Sequence, residues 1–279
     1  MKCFYHSRDM DGRCSGAIVR EVFPECELIG YDYGQPFPWE TIHPEEQVFL
    51  VDVSLQPFSD MVRLNAACRL TWIDHHVTAI AARDEVGVPF DGIQRVGRAG
   101  CELTWDYLMA DGGWVPRAVH LLGRYDVWQW QDVPGAMEFQ SGMWQFNSNP
   151  VNSELWHRLF HDDGLVDEII HNGGLLLAAK RKDNSSRIKA LGFDTELDGL
   201  RCIAVNHGMT NSTVFDEAYD PDRHDAMLAF AWYRDHWKVS LYSAKDEVDV
   251  SQICKVRGGG GHRGAAGFQC RELPFVLGV

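Results

Sequence analysis

The sequence predicts an α/β protein: an N-terminal parallel-sheet domain with helices on both faces, followed by a smaller C-terminal α+β domain. Short apolar runs alternate with amphipathic runs through the first half, as in strand–helix–strand units. A long helical pattern follows, and after it paired apolar runs are joined by short polar turns. We place the first domain at residues 1–160, a helical linker at 161–191 and the second domain at 192–279.

Four runs in the first half have the length and apolar content of buried strands. They are MKCFYH, CELIGYDY, QVFLVDV and CRLTWID. Helical patterns occur in SGAIVREVF, PFSDMVRLNAA, the segment beginning HHVTAIAAR, AGCELTWDYLMA and PRAVHLLGRY. Because ligands of parallel sheets bind beyond the carboxyl ends of the strands, we expect a site near His6, Asp52 and Asp74.

The second half begins with a helical pattern from Leu165 to Leu191. A glycine pair at 173–174 weakens the prediction that this helix is continuous. FDTELDGLRCIAV is typical of a hairpin that turns at its Asp-Gly step, and AMLAFAWYRDHWKVSLYSA of another that turns near Asp235-His236. A short helix in VDVSQICKV and the glycine-rich RGGGGHRGAAGF complete the predicted second domain.

The charge of the chain limits its partners. With 45% hydrophobic residues the chain can form real cores, and its formal net charge of −14 disfavours coating of long duplex nucleic acid, since that affinity comes from Lys and Arg. Clustered acids can instead bind divalent cations, which in turn bind small anions. We expect a small phosphorylated substrate or a short single-stranded oligonucleotide, with a homodimer left open.

Eight cysteines are scattered singly, which is typical of reduced packing cysteines and not of a zinc or redox motif. The N-terminal MKCFYHSRDMDG carries charge too early for a signal peptide, and no apolar run approaches the ~20 residues of a membrane span. We therefore expect a cytoplasmic protein with no membrane partner.

The first strand is followed by two acids in HSRDMDG. In an extended segment Asp9 and Asp11 would point the same way, and with His6 they would form a cradle for a divalent metal. The helix is expected to start between Gly12 and Ser15. A polar loop whose aspartate caps that helix is the ordinary alternative.

The next strand ends carry the same residue types. Asp52 follows four apolar residues, and a carboxylate there is costly unless it is paired or bound to a cation, although it can also serve as a helix cap. LTWIDHH ends in Asp74, His75 and His76; a lone strand-end histidine is usually structural, but this edge also collects the other candidates. Asp126 in GRYDVW follows a helix that a glycine is expected to interrupt, and alone would be a surface turn residue.

Carboxylate and imidazole ligands without thiolates favour Mn²⁺ or Mg²⁺ over structural zinc. Two such ions ~3.5–4 Å apart can share a carboxylate and a hydroxide and clamp a phosphoryl group for in-line attack. The candidate ligands are numerous enough for two ions.

These motifs resemble the DHH phosphoesterase family. HSRDMDG, VDVS, DHH and RYDVW match the four family motifs in order, and GGGGHRGAAGF resembles the glycine-rich loop of the DHH-associated domain. The resemblance covers almost the whole chain and favours the oligoribonuclease, or nanoRNase-like, branch. It implies two Mn²⁺ ions, with Mg²⁺ as an alternative. The implied ligands are His6, Asp9, Asp11, Asp52, His75 and Asp126.

The same resemblance implies roles for the remaining site residues. Asp52 would bridge the metals, His76 would lie beside the substrate phosphate and Asp74 would orient a neighbouring imidazole, so His76 and Asp74 are the implied catalytic residues. Many family members have one more residue between the first histidine and the first aspartate than HSRD has. Water is therefore an alternative to His6 as a ligand.

The glycine-rich segment suits an anion. Consecutive glycines let backbone N–H groups form a concave nest, and histidine and arginine add donors. A flexible linker is the alternative; the resemblance implies binding of the substrate's terminal phosphate or nucleotide in an interdomain cleft. The candidate substrate-binding residues are Gly259, Gly260, Gly261, His262 and Arg263. Arg98 in VGRAG is one more, unless it is simply solvated, and Trp128 and Trp130 either stack on a base or pack.

The implied activity is a Mn²⁺-dependent phosphodiesterase that hydrolyses short oligonucleotides or dinucleotides from one end. A nucleoside bisphosphate phosphatase and a cyclic-dinucleotide phosphodiesterase share the chemistry and remain alternatives. The non-enzymatic alternative is a nucleotide or metal sensor on the same scaffold. A family-II inorganic pyrophosphatase is disfavoured, because those enzymes lack the glycine-rich loop, and a long-strand exonuclease is disfavoured by length and charge.

Overall fold

The computed structural model describes residues 1–109 and 114–277 of the chain. It contains two compact units, Met1–Leu177 and Ala178–Val279. The boundary lies inside one long helix and falls within the range 161–191, where the sequence predicts a helical linker between domains 1–160 and 192–279. Ala110 of a predicted helix and the last two residues of the predicted second domain lie outside the described residues.

The first unit is built on a four-stranded parallel sheet. Its strands are β1 (Lys2–His6), β2 (Glu27–Tyr31), β3 (Gln47–Val51) and β4 (Arg69–Ile73), in the order β2-β1-β3-β4. All four strands run in one direction, so their carboxyl ends share one edge of the sheet. The chain therefore delivers the residues after each strand to the same place.

Helices cover both faces of this sheet because successive strand residues point to opposite sides. The helices of this region are α1 (Met10–Val22), α2 (Ser59–Ala67), α3 (Val77–Val86), α4 (Gly100–Leu108) and α5 (Arg117–Asp126). Met61 of α2 belongs to the core cluster that contains Phe4 of β1. Leu103 of α4 instead belongs to the cluster that contains Cys3 and Tyr5 of the same strand. The predicted fold class is confirmed.

Two predicted helix limits differ from the structure. α1 begins at Met10, ahead of the predicted start, because the side chain of Asp9 accepts a hydrogen bond from Gly12 N at 2.9 Å and caps the helix. Asp9 and Asp11 are therefore a cap and a first-turn residue, and the extended segment predicted there was wrong. α5 runs through Gly123 to Asp126, since the glycine admits the Glu102 side chain, whose Cγ would lie 2.6 Å from an added Cβ.

Three further helices complete this region of the chain. α6 (Ala136–Met143) and α7 (Ser153–His161) have no counterpart in the sequence prediction. α8 (Asp163–Leu191) is continuous through its glycine pair. A Cβ at Gly173 would overlap the carbonyl of Glu138, so this glycine permits close helix packing.

The second unit contains a six-stranded mixed sheet in the order β5-β6-β7-β8-β10-β9. Its elements are β5 (Gly192–Leu197), β6 (Leu200–Asn206), β7 (Ala226–Tyr233), β8 (His236–Tyr242), α9 (Val250–Val256), β9 (Gly260–His262) and β10 (Ala265–Cys270). Both predicted hairpins are present, the second turning at Arg234-Asp235, one residue earlier than predicted. The glycine-rich segment is itself a hairpin of β9 and β10.

Two expectations about composition can be compared with the described residues. The eight cysteines are free thiols that are buried or half-buried, as expected for packing residues. Among the described helices, none combines the length and the apolar character that a membrane crossing requires.

Candidate metal centre

The centre forms where β3 and β4 end. His75 Nε2 lies 3.1 Å from Asp52 Oδ1, 3.4 Å from Asp126 Oδ2 and 3.5 Å from Asp11 Oδ2. Asp52 is buried and adopts a left-handed backbone conformation, with φ of 58°, while its N–H donates to Ile73 O at 2.8 Å. Such a conformation in a buried aspartate is a local strain of the kind that occurs at functional sites.

Helix α4 fixes the position of Asp11. Gly100 N and Cys101 N, at the first turn of α4, each donate a hydrogen bond of 2.7 Å to one carboxylate oxygen of Asp11. Gly100 also lies against Asp52, because a Cβ there would be 2.7 Å from the Asp52 Cβ. Gly100 was not identified from the sequence. Its role is to leave room for Asp11 and Asp52, which are distant in the chain, and no local pattern marks such a glycine.

A second group of ligand atoms surrounds His6. Its Nδ1 lies 2.8 Å from Asp9 Oδ2 and 3.6 Å from Asp52 Oδ2, without the alignment of a hydrogen bond. Its Nε2 lies 3.8 Å from Asp32 Oδ1. Asp32 was not among the residues predicted from the sequence. It follows β2 directly in CELIGYDY, and an acid directly after a strand is the same signal that marks Asp52 and Asp74.

The donor set fits divalent cations. Three triplets have ligand atoms within 4.8 Å of one another: His6, Asp9 and Asp52; Asp11, His75 and Asp126; and Asp52, His75 and His76. Among the described residues, His6 Nδ1, Asp32 Oδ1 and Asp52 Oδ1 are buried without a hydrogen-bond partner. Buried polar atoms normally have partners. All six predicted ligands are therefore brought together around atoms that a cation would satisfy.

Crowded carboxylates perturb the pKa values of the centre. Burial, followed by the charge of Asp52, raises the pKa of Asp11 to about 8. Burial and the charge of Asp11 raise the pKa of Asp126 to about 7. Burial lowers the pKa of His75, but its close contact with Asp52 and the charges of the nearby carboxylates outweigh this and raise it to about 10. Protons on the carboxylates and charged imidazoles thus offset the negative charge of the centre. Bound cations would offset the same charge.

Asp74 organises the two histidines that follow it. This fully buried carboxylate accepts hydrogen bonds from His75 N at 2.7 Å and from His76 N at 3.0 Å, and its Oδ1 lies 2.6 Å from His76 Nδ1. Trp72 Nε1 donates to its other oxygen at 3.1 Å. The imidazole that Asp74 contacts is that of His76, and among the described residues no hydrogen bond reaches the Nε2 atom of this ring.

Tyr33 is a second residue that sequence reasoning missed. Its ring meets the rings of His6 and His76 edge-on, with centroids 5.7 Å and 6.1 Å away. Burial, followed by the charge of Asp74, raises the pKa of Tyr33 to about 12, so the phenol remains a neutral donor beside the centre. Like Asp32, it follows β2 in CELIGYDY.

Three other residues of the first unit that the sequence singles out, Arg98, Trp128 and Trp130, are not among the ligands described above. Arg98 donates to both oxygens of Asp106, at 2.5 Å and 3.3 Å, which occupies its guanidinium in a local pair. Trp128 is 77% exposed, two residues beyond Asp126, whereas Trp130 packs against the core. Trp128 also has a left-handed backbone conformation, with φ of 59°.

In the second unit, the glycine-rich segment has a structural task in addition to any binding. Gly259 N donates to Cys254 O at 2.9 Å and closes α9, so this N–H is not free for an anion. A Cβ at Gly261 would lie 2.5 Å from Ala266 Cα, which shows why β9 needs glycine to approach β10. His262 and Arg263 are exposed at the end of the hairpin, where Arg263 donates to the carbonyl of Asp246.

Two curated proteins are similar to this chain. Oligoribonuclease NrnB of Bacillus subtilis is 23% identical over 304 residues, which cover 98% of this chain and 74% of NrnB. An uncharacterized protein of Acanthamoeba polyphaga mimivirus is 26% identical over 241 residues, covering 83% of this chain. The match covers only 55% of the viral protein, so the chain spans about half the length of that relative. No family model matches the chain.

Solved structures share the fold. The pGpG-specific phosphodiesterase PggH of Vibrio cholerae superposes with a TM-score of 0.60 at 13% identity, over 96% of this chain and 92% of PggH. A DHH domain from a member of a ribosomal-protein family superposes with a TM-score of 0.51 at 16% identity, over 96% of this chain and 82% of that one. These likenesses show that the chain has the fold of a DHH domain, and the similarity to NrnB together with the Asp74-His75-His76 motif and the carboxylates gathered around it points to a DHH-family phosphoesterase.

Proposed function

We propose that this chain is a Mn²⁺-dependent phosphodiesterase that hydrolyses short oligonucleotides or dinucleotides from one end. The observation that carries the proposal is that four carboxylates and two imidazoles lie close together, and that some of their buried atoms have no hydrogen-bond partner among the described residues. The ligands would be His6, Asp9, Asp11, Asp52, His75 and Asp126. Oxygen and nitrogen donors without thiolates suit Mn²⁺ or Mg²⁺.

Two metals bound here would supply a nucleophile at neutral pH and stabilise the charge that develops on the phosphoryl oxygens. Asp52 belongs to two of the three triplets, so it is the residue that we expect to hold both ions. His76 is a half-buried imidazole whose Nδ1 is bonded to Asp74. Its Nε2 can therefore give a proton to the departing alcohol while Asp74 stabilises the imidazolium.

Three features support a short substrate. NrnB is named an oligoribonuclease, and PggH a phosphodiesterase specific for the dinucleotide pGpG. A net charge of −14 disfavours the many backbone contacts that long strands make. The exposed His262 and Arg263 offer donors for one terminal phosphate.

The unpaired cysteines are what a reducing compartment favours, which supports a cytosolic enzyme.

Product analysis with 5′-labelled oligoribonucleotides from dimer to about 24-mer, with and without Mn²⁺, tests this proposal; such a series separates binding through a few phosphate contacts from binding through many. Adenosine 3′,5′-bisphosphate and a cyclic dinucleotide serve as parallel substrates. We expect metal-dependent turnover that is fastest for dimers to pentamers and fades with length. Turnover of only the parallel substrates would keep the metal chemistry and overturn the oligonucleotide assignment.

The sensor alternative needs its own experiment. Asp52→Asn keeps the size of the side chain but removes the charge that two of the three triplets share. We expect hydrolysis to fall by about 100-fold or more while the circular dichroism spectrum is unchanged. If the wild-type chain binds Mn²⁺ yet turns over none of the substrates, the chain is a sensor and the enzymatic proposal is wrong.

A further inference from the structure

A second group of metal-ligating side chains lies in the first unit, outside the centre described above. Glu21 is in the last turn of α1, and His157 and His161 are on α7. Glu21 Oε1 lies 2.8 Å from His157 Nδ1 and 3.2 Å from His161 Nε2. All three ligand atoms lie within 4.8 Å of one another. We refer to these three residues as the α1–α7 triad.

The helical spacing explains why the two imidazoles meet. Residues four apart lie on the same face of a helix, and the rings of His157 and His161 have centroids 4.6 Å apart. α7 ends at His161, so the triad lies at the negative end of the helix dipole. Glu21 similarly lies near the C-terminal end of α1. Both helix ends and the carboxylate favour a cation at this point.

The triad is slightly more compact than a tetrahedral zinc site. With metal–ligand bonds of about 2.0–2.2 Å, tetrahedral geometry places neighbouring ligand atoms ~3.3–3.6 Å apart. The Glu21–His161 separation of 3.2 Å is close to this range, and the Glu21–His157 separation of 2.8 Å must lengthen by roughly 0.5–0.8 Å to reach it. The side chains of His157 and His161 are 61% and 45% exposed, so their rotamers can adjust and water can complete the coordination.

The chemistry differs from that of the catalytic centre. Two imidazoles and a single carboxylate favour Zn²⁺, Cu²⁺ or Ni²⁺, whereas the carboxylate-rich centre favours Mn²⁺ or Mg²⁺. The two groups are also well separated, since Asp9 caps the start of α1 and Glu21 lies twelve residues further on. That distance is about 18 Å along a helix axis.

We propose that the α1–α7 triad is a binding site for a Zn²⁺-class ion that fastens the C-terminal end of α1 to α7. His157 Nδ1, His161 Nε2 and one carboxylate oxygen of Glu21 are the protein ligands, and solvent supplies the rest. Both imidazoles bind as neutral bases, so any proton on these nitrogens is released to solvent on binding. Because α1 carries Asp9 and Asp11 at its other end, an ion here stabilises the helix that supplies two candidate catalytic ligands.

The competing account is a polar contact without metal, in which Glu21 accepts hydrogen bonds from both imidazoles. Zinc titration distinguishes the two. We would measure Zn²⁺ stoichiometry by isothermal titration calorimetry for the wild type, for His157→Gln/His161→Gln and for the matched control His43→Gln/His171→Gln. The control removes two exposed imidazoles elsewhere. Glutamine keeps a donor for Glu21, so the polar contact survives while the metal ligands are lost.

We expect the triad variant to bind one fewer Zn²⁺ per chain than the wild type and the control. Its melting temperature should also rise less with Zn²⁺ than that of the wild type and the control, because each ion bound only by the folded state adds to its stability. Trp114 provides a local reporter, since its ring stacks on His161 with centroids 6.5 Å apart. Cu²⁺ should therefore quench the component of the wild-type tryptophan fluorescence that comes from Trp114. This quenching should be missing in Trp114→Phe. Equal stoichiometry and equal thermal shifts in all three proteins would overturn the proposal.

Discussion

Asp74 Oδ1 lies 2.6 Å from His76 Nδ1, and the same carboxylate accepts the backbone N–H groups of His75 and His76. One buried side chain thus fixes both the ring and the backbone of the residue after next. This relationship explains why the strand that ends in Ile73 is followed by an acid and two histidines. The acid positions the imidazole that would face the substrate.

Asp74→Asn tests this positioning role. An amide oxygen can still accept the backbone hydrogen bonds, but it no longer stabilises a proton on His76 Nδ1. We expect kcat to fall by about 10–100-fold, as for other residues that orient a metal-site side chain, with little change in KM. Steady-state kinetics at saturating Mn²⁺ measure the split. A change confined to KM would show that Asp74 does not act through His76.

Gly100→Ala tests the contact between α4 and the acids. The new Cβ would lie 2.7 Å from Asp52 Cβ and 2.8 Å from its Oδ1, so Asp52 or α4 must shift. We expect activity to fall by about 10–100-fold through misplaced ligands. The matched control is Gly174→Ala, whose Cβ has only Glu138 Cγ nearby, at 3.7 Å. The control should retain activity and gain about 0.5–1 kcal/mol in unfolding free energy; equal activity in both variants would contradict the prediction.

Trp128→Ala tests whether the exposed indole beyond Asp126 stacks on a base. Stacking is worth about 1–3 kcal/mol per base, so KM for a short oligonucleotide should rise about 5- to 100-fold. Turnover of bis(4-nitrophenyl) phosphate, which has no base, should be unchanged. Trp114→Ala removes another exposed tryptophan and is the control. Identical KM values for wild type and Trp128→Ala would assign Trp128 no role in binding.

The hairpin at the end of the second unit offers a test of terminal-phosphate binding. We expect His262→Ala/Arg263→Gln to raise KM for 5′-phosphorylated dimers by about 10-fold or more, since hydrogen bonds to charged groups contribute about 1.5–3 kcal/mol each. Arg271→Gln removes the same charge from an exposed site in the same unit and is the control. Comparison with dimers that lack the terminal phosphate identifies the group bound. A similar rise for both dimers would contradict the assignment.

Asp225 gives a prediction about acid stability. Hydrogen bonds from Arg201 and Lys245 hold the pKa of Asp225 well below its usual range. The ion pairs therefore contribute fully above the ordinary aspartate pKa of about 4 and are lost as the carboxyl protonates in stronger acid. Asp225→Asn should lower the melting temperature of the second unit by a few degrees at pH 7.

The difference between the wild type and Asp225→Asn should shrink toward zero as the pH falls below the usual aspartate range. Thermal melts followed by circular dichroism at several pH values measure it. Asp222→Asn, a change at a neighbouring exposed carboxylate, is the control. A difference that stays constant with pH would show that the charge of Asp225 is not what stabilises the unit.

Local patterns were enough for most of the regular structure. The four parallel strands and both hairpins follow from apolar runs bounded by turn residues, and the turn at Asp198-Gly199 has positive φ at both residues, as its sequence predicts. α6 and α7 were missed although their buried residues recur at helical spacing, as Trp156, Leu159 and Phe160 do in α7; each helix is only eight or nine residues long, so its pattern covers little more than two turns. The sequence predicts an interruption at Gly123 and weakens the prediction of a continuous helix at 173–174, whereas both helices are continuous and Gly123 and Gly173 each admit a neighbouring group.

The sequence by itself determined which residue types meet at the sheet edge: it places His6 at the end of the first strand and Asp52 and Asp74 directly after the third and fourth, and parallel strands bring such residues to one edge. Only the tertiary structure decided which other groups complete the site. Gly100 meets Asp11 across 89 residues of chain, and Glu21 meets His157 across 136. Periodicity and turn chemistry act over a few residues, whereas contacts of this kind depend on how whole helices pack, and no local pattern records that.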